Sequence, residues 1–81
     1  MFLEIITPGK KVYTGEVTSV TVPGTKGSFQ ILNNHAPIIS TLENGKVKVK
    51  DDAGVHIFNI KGGVVEVLKN KVVVLAESIS N

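Results

Sequence analysis

Ile38-Ile39-Ser40-Thr41-Leu42-Glu43-Asn44-Gly45-Lys46-Val47-Lys48-Val49-Lys50 is the stretch whose reading decides the fold. Its second half alternates lysine with valine, and a period of two puts Val47 and Val49 on one face of a strand and Lys46, Lys48 and Lys50 on the other. A helix would scatter the same residues around its axis. The first half is apolar and β-branched, as a strand requires. Between the halves stands Asn44-Gly45, two residues that tolerate positive φ, so the stretch predicts a tight hairpin joining 38–42 to 46–50.

Working outward, the rest of the chain follows the same grammar. Valine and isoleucine outnumber alanine and leucine 21 to 8, a balance that favours strands over helices. Turn residues recur at short intervals: Pro8-Gly9, Gly15, Pro23-Gly24, Gly27, Asn33-Asn34, Asp51-Asp52-Ala53-Gly54, Gly62-Gly63 and Asn70. They leave strands near 2–6, 10–14, 16–22, 28–32, 38–42, 46–50, 55–61, 64–69 and 71–77, the pattern of an all-β sandwich or barrel. Lys69-Asn70-Lys71 is expected to turn the last pair. Val72-Val73-Val74-Leu75 is apolar on both faces, which predicts a strand covered by a second sheet inside and by a partner outside.

Size and composition narrow the function. Eighty-one residues make one domain, 1–81, with a small core. The absence of cysteine removes disulfides, thiolate metal sites and cysteine nucleophiles, and fits a reducing compartment. Nine lysines stand against seven acids, with no arginine for bidentate phosphate or base contacts, a weak case for nucleic acid. No apolar run approaches the ~20 residues of a membrane-spanning helix.

No constellation for chemistry is apparent either. Glu4, Glu16, Glu43, Glu66 and Glu77 are scattered singly, and Asp51-Asp52 reads as a turn. His35 lies in the loop Asn33-Asn34-His35-Ala36-Pro37, suited to recognition, whereas His56 alternates within a strand and reads as structural. Gly24-Thr25-Lys26-Gly27 lacks the phosphate-loop spacing and opens no helix. The lysine stripe has no aromatics for base stacking. These residues predict no catalytic site, no metal, no cofactor and a protein that works by binding other macromolecules.

Four stretches together carry a family resemblance. Val20-Thr21-Val22-Pro23-Gly24-Thr25-Lys26-Gly27-Ser28-Phe29-Gln30-Ile31-Leu32-Asn33-Asn34-His35-Ala36-Pro37-Ile38-Ile39 resembles the N-terminal domain of the epsilon subunit of the rotary F-type ATP synthase, with a strand, a glycine-bounded turn, a second strand and a His-Ala-Pro loop. Ile60-Lys61-Gly62-Gly63-Val64-Val65-Glu66-Val67 and Val72-Val73-Val74-Leu75-Ala76-Glu77 are similar to its later strands, and Leu3-Glu4-Ile5-Ile6-Thr7-Pro8 to its opening.

The resemblance implies a flattened sandwich of two antiparallel sheets with about ten short strands. It implies a non-catalytic rotor subunit of the central stalk, bound to the gamma subunit and the c-ring and coupling ion translocation to ATP synthesis. Its location would be peripheral, on the cytoplasmic face of the bacterial inner membrane, with membrane association only through the complex. Carried onto this chain, Thr25, Lys26, Gly27 and Ser28 fall at the ring-facing turn, and His35, Ala36, Pro37 and Ser40 on the segment facing gamma and the ring. Lys26 and Ser28 depart from the acid often found in that turn, implying a different charge match. No counterpart of the family's two C-terminal helices occurs in these residues. A biotinyl- or lipoyl-type carrier domain is the alternative of similar size, but Met-Lys-Met and Asp-Lys-Ala are both absent. An oligonucleotide-binding barrel ranks third.

Overall fold

The computed structural model describes residues 1–80, and its regular structure is all strand: β1 (Phe2–Thr7), β2 (Lys10–Glu16), β3 (Ser19–Gly24), β4 (Gly27–Leu32), β5 (Ile38–Leu42), β6 (Gly45–Asp51), β7 (Gly54–Leu68) and β8 (Lys71–Ser80). Hydrogen bonding runs in the order β2-β1-β8-β7-β5-β3-β4, with β6 between β3 and β7. The fold is the expected β-sandwich, with eight strands where the resemblance implied about ten and the spacing gave nine; the spacing counted one too many because the segments on either side of Gly62-Gly63 are one strand. One pair is parallel: β1 runs beside β8, Leu3 opposite Val72 and Ile5 opposite Val74. Parallel neighbours need a long crossover, and here all the chain between them supplies it.

The predicted hairpin at Asn44-Gly45 does not form. β5 and β6 do not pair with each other; both run antiparallel to β7 in one unbroken register, Leu42 opposite Gly63 and Gly45 opposite Ile60. Neither Asn44 nor Gly45 has positive φ, which a tight two-residue turn would demand. Instead the pair marks a bend in a long ribbon. Gly45 is needed for closeness, since a Cβ there would lie 2.8 Å from Pro23 Cβ. The Asn44 side chain accepts a 2.9 Å hydrogen bond from the Gly62 amide across the bend. The hairpin that does join β6 to β7 turns at Asp51–Gly54.

The bend explains how one hydrogen-bonded sheet makes two layers. Side chains alternate with period two, so a strand that changes phase by one residue exchanges its faces. In β7 the inward residues are Phe58 and Ile60 before Gly62-Gly63, and Val65 and Val67 after it. The long ribbon opposite makes the same change, from Leu42 to Val47 and Val49. β8 follows, from Val72, Val74 and Ala76 to Ile79. Because all three change together, the register between them survives. Gly62 and Gly63 absorb the change in β7 with φ of 54° and 135°, values that disfavour a side chain.

The core between the layers is aliphatic, with Leu3, Ile5, Val20, Val22, Ile31, Val47, Val49, Val65, Val67, Val72 and Val74 fully buried. β-branched residues of similar volume suit such packing, because each side chain has one preferred rotamer and loses little freedom.

Candidate partner-binding surface

The eight sequence-nominated residues fall into two clusters at opposite ends of β4. At one end Thr25 and Lys26 form the β3–β4 turn, closed because Gly24 pairs with Gly27. A Cβ on Gly24 would meet the Gly27 carbonyl at 2.7 Å and the Phe29 ring at 2.9 Å, so the turn depends on glycine there. The turn leans on β5: the Thr25 amide donates to the Thr41 carbonyl at 3.1 Å, and the two threonine hydroxyls meet at 2.9 Å. Between turn and strand lies a groove of about 580 Å³ lined by Thr25, Lys26, Gly27, Ser28, Ser40 and their neighbours Phe29, Ile39 and Thr41. Ser40 thus belongs with the turn, apart from the histidine with which the sequence grouped it.

His35, Ala36 and Pro37 sit at the other end, beside the β7–β8 hairpin, where Leu68, Lys69 and Asn70 help line a second concavity. The loop is fixed by local bonds. The His35 amide donates to the Leu32 carbonyl at 3.2 Å, and its Nδ1 lies 2.7 Å from the Ala36 carbonyl. A carbonyl only accepts, so Nδ1 carries the proton in this contact. Asn34 is left-handed, φ 61°, and its amide donates to the Asn70 side chain at 2.8 Å. Asn70 also accepts the Phe2 amide on its own carbonyl at 3.1 Å. It ties the loop, the hairpin and the first strand together, a role its position in the sequence does not announce.

A third feature escapes residue-by-residue reading. Outward positions on β1, β8, β7 and β5 align across the register as Ile6, Leu75, Val64 and Thr41, and beside them as Glu4, Val73, Glu66 and Ile39. Ile39 is 73% exposed, and Leu75 and Leu68 are half exposed. The double-sided apolar pattern of Val72 to Leu75 was the signal for this face; its outer half is bare in the isolated domain. Glu4 is neutralised by Lys11 at 2.8 Å and Lys71 at 3.1 Å. Those hydrogen bonds, Lys11 first, hold its carboxyl below the ordinary value.

His56, read as structural, joins Tyr13 and Asp51. The Tyr13 hydroxyl donates to Asp51 Oδ2 at 2.6 Å, and His56 Nε2 approaches the same oxygen at 2.9 Å. Burial, then the bond to the carboxylate, pushes the phenol up to about 12, while the same phenol, with His56 and the Ala53 amide, draws Asp51 down. The cluster clips edge strand β2 to the β6–β7 hairpin. Among the described residues no group of three or more metal-ligating His, Cys, Asp or Glu side chains converges.

Comparison with known proteins adds identity to this geometry. The family described as ATP synthase, Delta/Epsilon chain, beta-sandwich domain matches residues 1–81. The ATP synthase epsilon chain of Chlorobium limicola is 46% identical over 79 residues, covering 96% of this chain and 90% of the relative. That of Caulobacter vibrioides is 40% identical over 77 residues, covering 95% and 90%. The epsilon chain of Desulfatibacillum aliphaticivorans is 46% identical, but this chain spans only 56% of it. Among solved structures, a chain of the Euglena gracilis mitochondrial ATP synthase superposes with a TM-score of 0.89 at 18% identity, over 96% of this chain and 51% of that one. A chain from the Tetrahymena thermophila mitochondrial ATP synthase central stalk and c-ring gives 0.85 at 18% identity, over 99% and 65%. At that identity the structural likeness speaks for the fold.

Proposed function

The chain belongs to the delta/epsilon-chain β-sandwich family of ATP synthase, and from that premise we propose that it is a non-catalytic rotor subunit, bound to gamma along a flank and to the c-ring at one tip. The observation that carries this reading is the outward face of β1, β8, β7 and β5, where Ile6, Leu75, Val64, Val73 and Ile39 form an apolar band beside Glu4, Glu66 and Thr41, with Ile39 and Leu75 exposed in strands whose inner sides are already buried. A small domain spends such a surface on a partner, and gamma is the partner the family implies.

Rotation passes only through contacts that do not slip. Close packing of the aliphatic core makes the sandwich stiff, and the Thr25–Ser28 turn, braced on Thr41, is a rigid tip for the ring. Apolar burial against gamma supplies affinity, and the polar tip supplies alignment. Lys26 is the only charge in that turn, which favours an acidic or neutral loop opposite it. The domain then lies peripherally on the cytoplasmic face of the membrane, held there by the complex.

The carrier-domain alternative has one point in its favour, since Lys69 stands at the tip of the β7–β8 hairpin. Family membership over the whole chain outweighs it. The test is co-purification with the gamma subunit: a stable complex at micromolar concentration is expected, and its absence refutes the reading. His35→Glu should weaken assembly while leaving the isolated domain folded.

A further inference from the structure

The outward faces of the two layers differ in charge. On the first, Glu4 and Glu66 stand among the apolar residues, and Glu4 is paired with Lys11 and Lys71. The second, built on β6 with β3 and β7 beside it, is of one sign. Lys46, Lys48 and Lys50 lie opposite Asn59, Ile57 and Val55 of β7, and Lys61 continues the same row of β7 at the bend. On the other side Lys48 meets Thr21 and Lys50 meets Ser19 of β3, and Ser19 in turn meets Leu32 of β4. Directly opposed residues share a face of the sheet, so the four lysines form one surface with Val55, Ile57 and Leu32.

All four lysines are exposed, and the three aliphatic side chains are each about half exposed. No acid holds an outward position within the surface. Asp52 lies at the tip of the β6–β7 hairpin, and Glu43 and Glu77 stand at the bend. Among the described residues none of the four lysines is ion-paired.

Composition selects the counterpart of this positive face. Protein interfaces are enriched in arginine and aromatic residues and depleted in lysine, whereas here every cation is lysine and no aromatic ring is present. The arginine fork picks out individual carboxylates; lysine is a point charge on a flexible stem, suited to a diffuse negative field. Nucleic-acid strands need rings on which to stack their bases. A second copy of this chain would set lysines against lysines. A plane of negative charge with an apolar layer beneath it matches both halves of the pattern, the ammonium heads at the level of the charges and the stems and aliphatic side chains below.

We propose that the outward face of β6, β7 and β3 is a contact surface for a bilayer rich in anionic phospholipid. The inference goes beyond the rotor reading and leaves the opposite layer to gamma. Each lysine near an anionic surface strengthens binding about fivefold, so four give a weak, reversible association that salt screens. Such a contact has no fixed register, and a subunit that turns can slide over headgroups without losing it.

The test uses the complete chain and sedimented vesicles, one set of equal parts phosphatidylglycerol and phosphatidylcholine and one of phosphatidylcholine alone. The chain should sediment with the first at low salt, be released as salt rises, and ignore the second. Lys48→Gln combined with Lys50→Gln should weaken binding about twenty-five-fold. Lys10→Gln combined with Lys69→Gln removes the same charge from edge strand β2 and the β7–β8 turn, and should bind nearly as the parent does. The chain has no tryptophan, so Ile57→Trp reports on this face alone, and its emission should move to shorter wavelength on anionic vesicles. Equal losses in the two double variants, or sedimentation without the emission shift, would assign binding to net charge or to another face and overturn the inference. No sedimentation with anionic vesicles at low salt overturns it as well. Tighter binding to polyglutamate than to the vesicles assigns the face to an acidic polypeptide and overturns the lipid assignment. None of these outcomes bears on co-purification with gamma, which tests the rotor reading separately.

Discussion

Asn44-Gly45 and Lys69-Asn70 are both two-residue turn signals between apolar runs, and the structure treats them oppositely. Lys69 and Asn70 sit at φ of 50° and 60° and close a tight hairpin, Leu68 opposite Lys71. Asn44 and Gly45 have ordinary backbone and lie in the bend of a ribbon that passes from one layer to the other. The stronger local signal made the weaker turn. Turn propensity states what a backbone permits; the third strand decides what it does. β7, fifteen residues long, offers pairing to both β5 and β6, and bonding to it along the whole length outweighs a local reversal.

The sharpest way to break this contrast is at the bend. A Cβ on Gly63 would lie 2.2 Å from the Leu75 carbonyl oxygen, at a φ of 135°. Gly63→Ala should cost about 3 kcal/mol or more, combining backbone strain with displacement of β8. Urea unfolding measures it, and a loss below about 1 kcal/mol would mean the bend is not held by glycine. Gly45→Ala tests the other strand of the bend. Its backbone is unstrained, so only the 2.8 Å approach to Pro23 opposes the methyl, and a smaller cost of about 2 kcal/mol is expected.

Much of this was legible in the sequence, for reasons that can be located. Period-two alternation placed the strands, because burial on one face leaves a local mark at Val47 and Val49. The Lys69-Asn70 turn was legible because its outcome needs only its two flanking strands. The bend was half legible. Gly62-Gly63 reads as a turn, which divides 55–61 from 64–69, where the structure has one strand whose inward set shifts from Phe58 and Ile60 to Val65 and Val67. What separates a break from a bend is the matching shift in β5–β6 and β8, a nonlocal fact. The residues nominated for an interface follow the same rule. Thr25–Ser28 and His35–Pro37 were nominated from the family resemblance, but that β4 holds them apart, and that Asn70 anchors the second group, depends on pairing between distant segments.

The hairpin side of the comparison yields a prediction with two readouts. Asn70→Ala deletes the acceptor for the Asn34 amide and puts a left-handed residue under strain, costing about 1–2 kcal/mol. Because Asn34 adjoins His35, its amide should also lose protection from exchange. A stability loss without that local change would show that Asn70 matters only to its own turn.

The Asp51–Gly54 hairpin, which the sequence also read as a turn, joins β6 to β7 and is clipped to β2 by Tyr13. Tyr13→Phe should cost about 1 kcal/mol at neutral pH, one hydrogen bond to a carboxylate. The phenol is raised from 10 to about 12 in the folded state, so its protonated form is favoured by folding. That contribution is complete below pH 10 and lost as pH rises toward 12; the phenylalanine variant should lack this alkaline decline. Asp51 works in the opposite sense. Its carboxyl is depressed by Tyr13 first and His56 second, so its contribution is present above the ordinary carboxyl range and lost as pH falls through the lowered folded value.

The smallest expected effect bears on the comparison most directly. Lys69 is exposed and holds its positive φ without the side chain best suited to it. Lys69→Asn gives this turn the residue that the other signal possessed, and asparagine enters the left-handed region at less cost than lysine. A gain of about 0.5 kcal/mol is expected. Asn44→Lys, the reverse exchange, should instead destabilise, because the bend uses that side chain to accept the Gly62 amide and has no use for its turn propensity. If both exchanges changed stability in the direction of turn propensity alone, the claim that pairing with β7 governs the bend would fail.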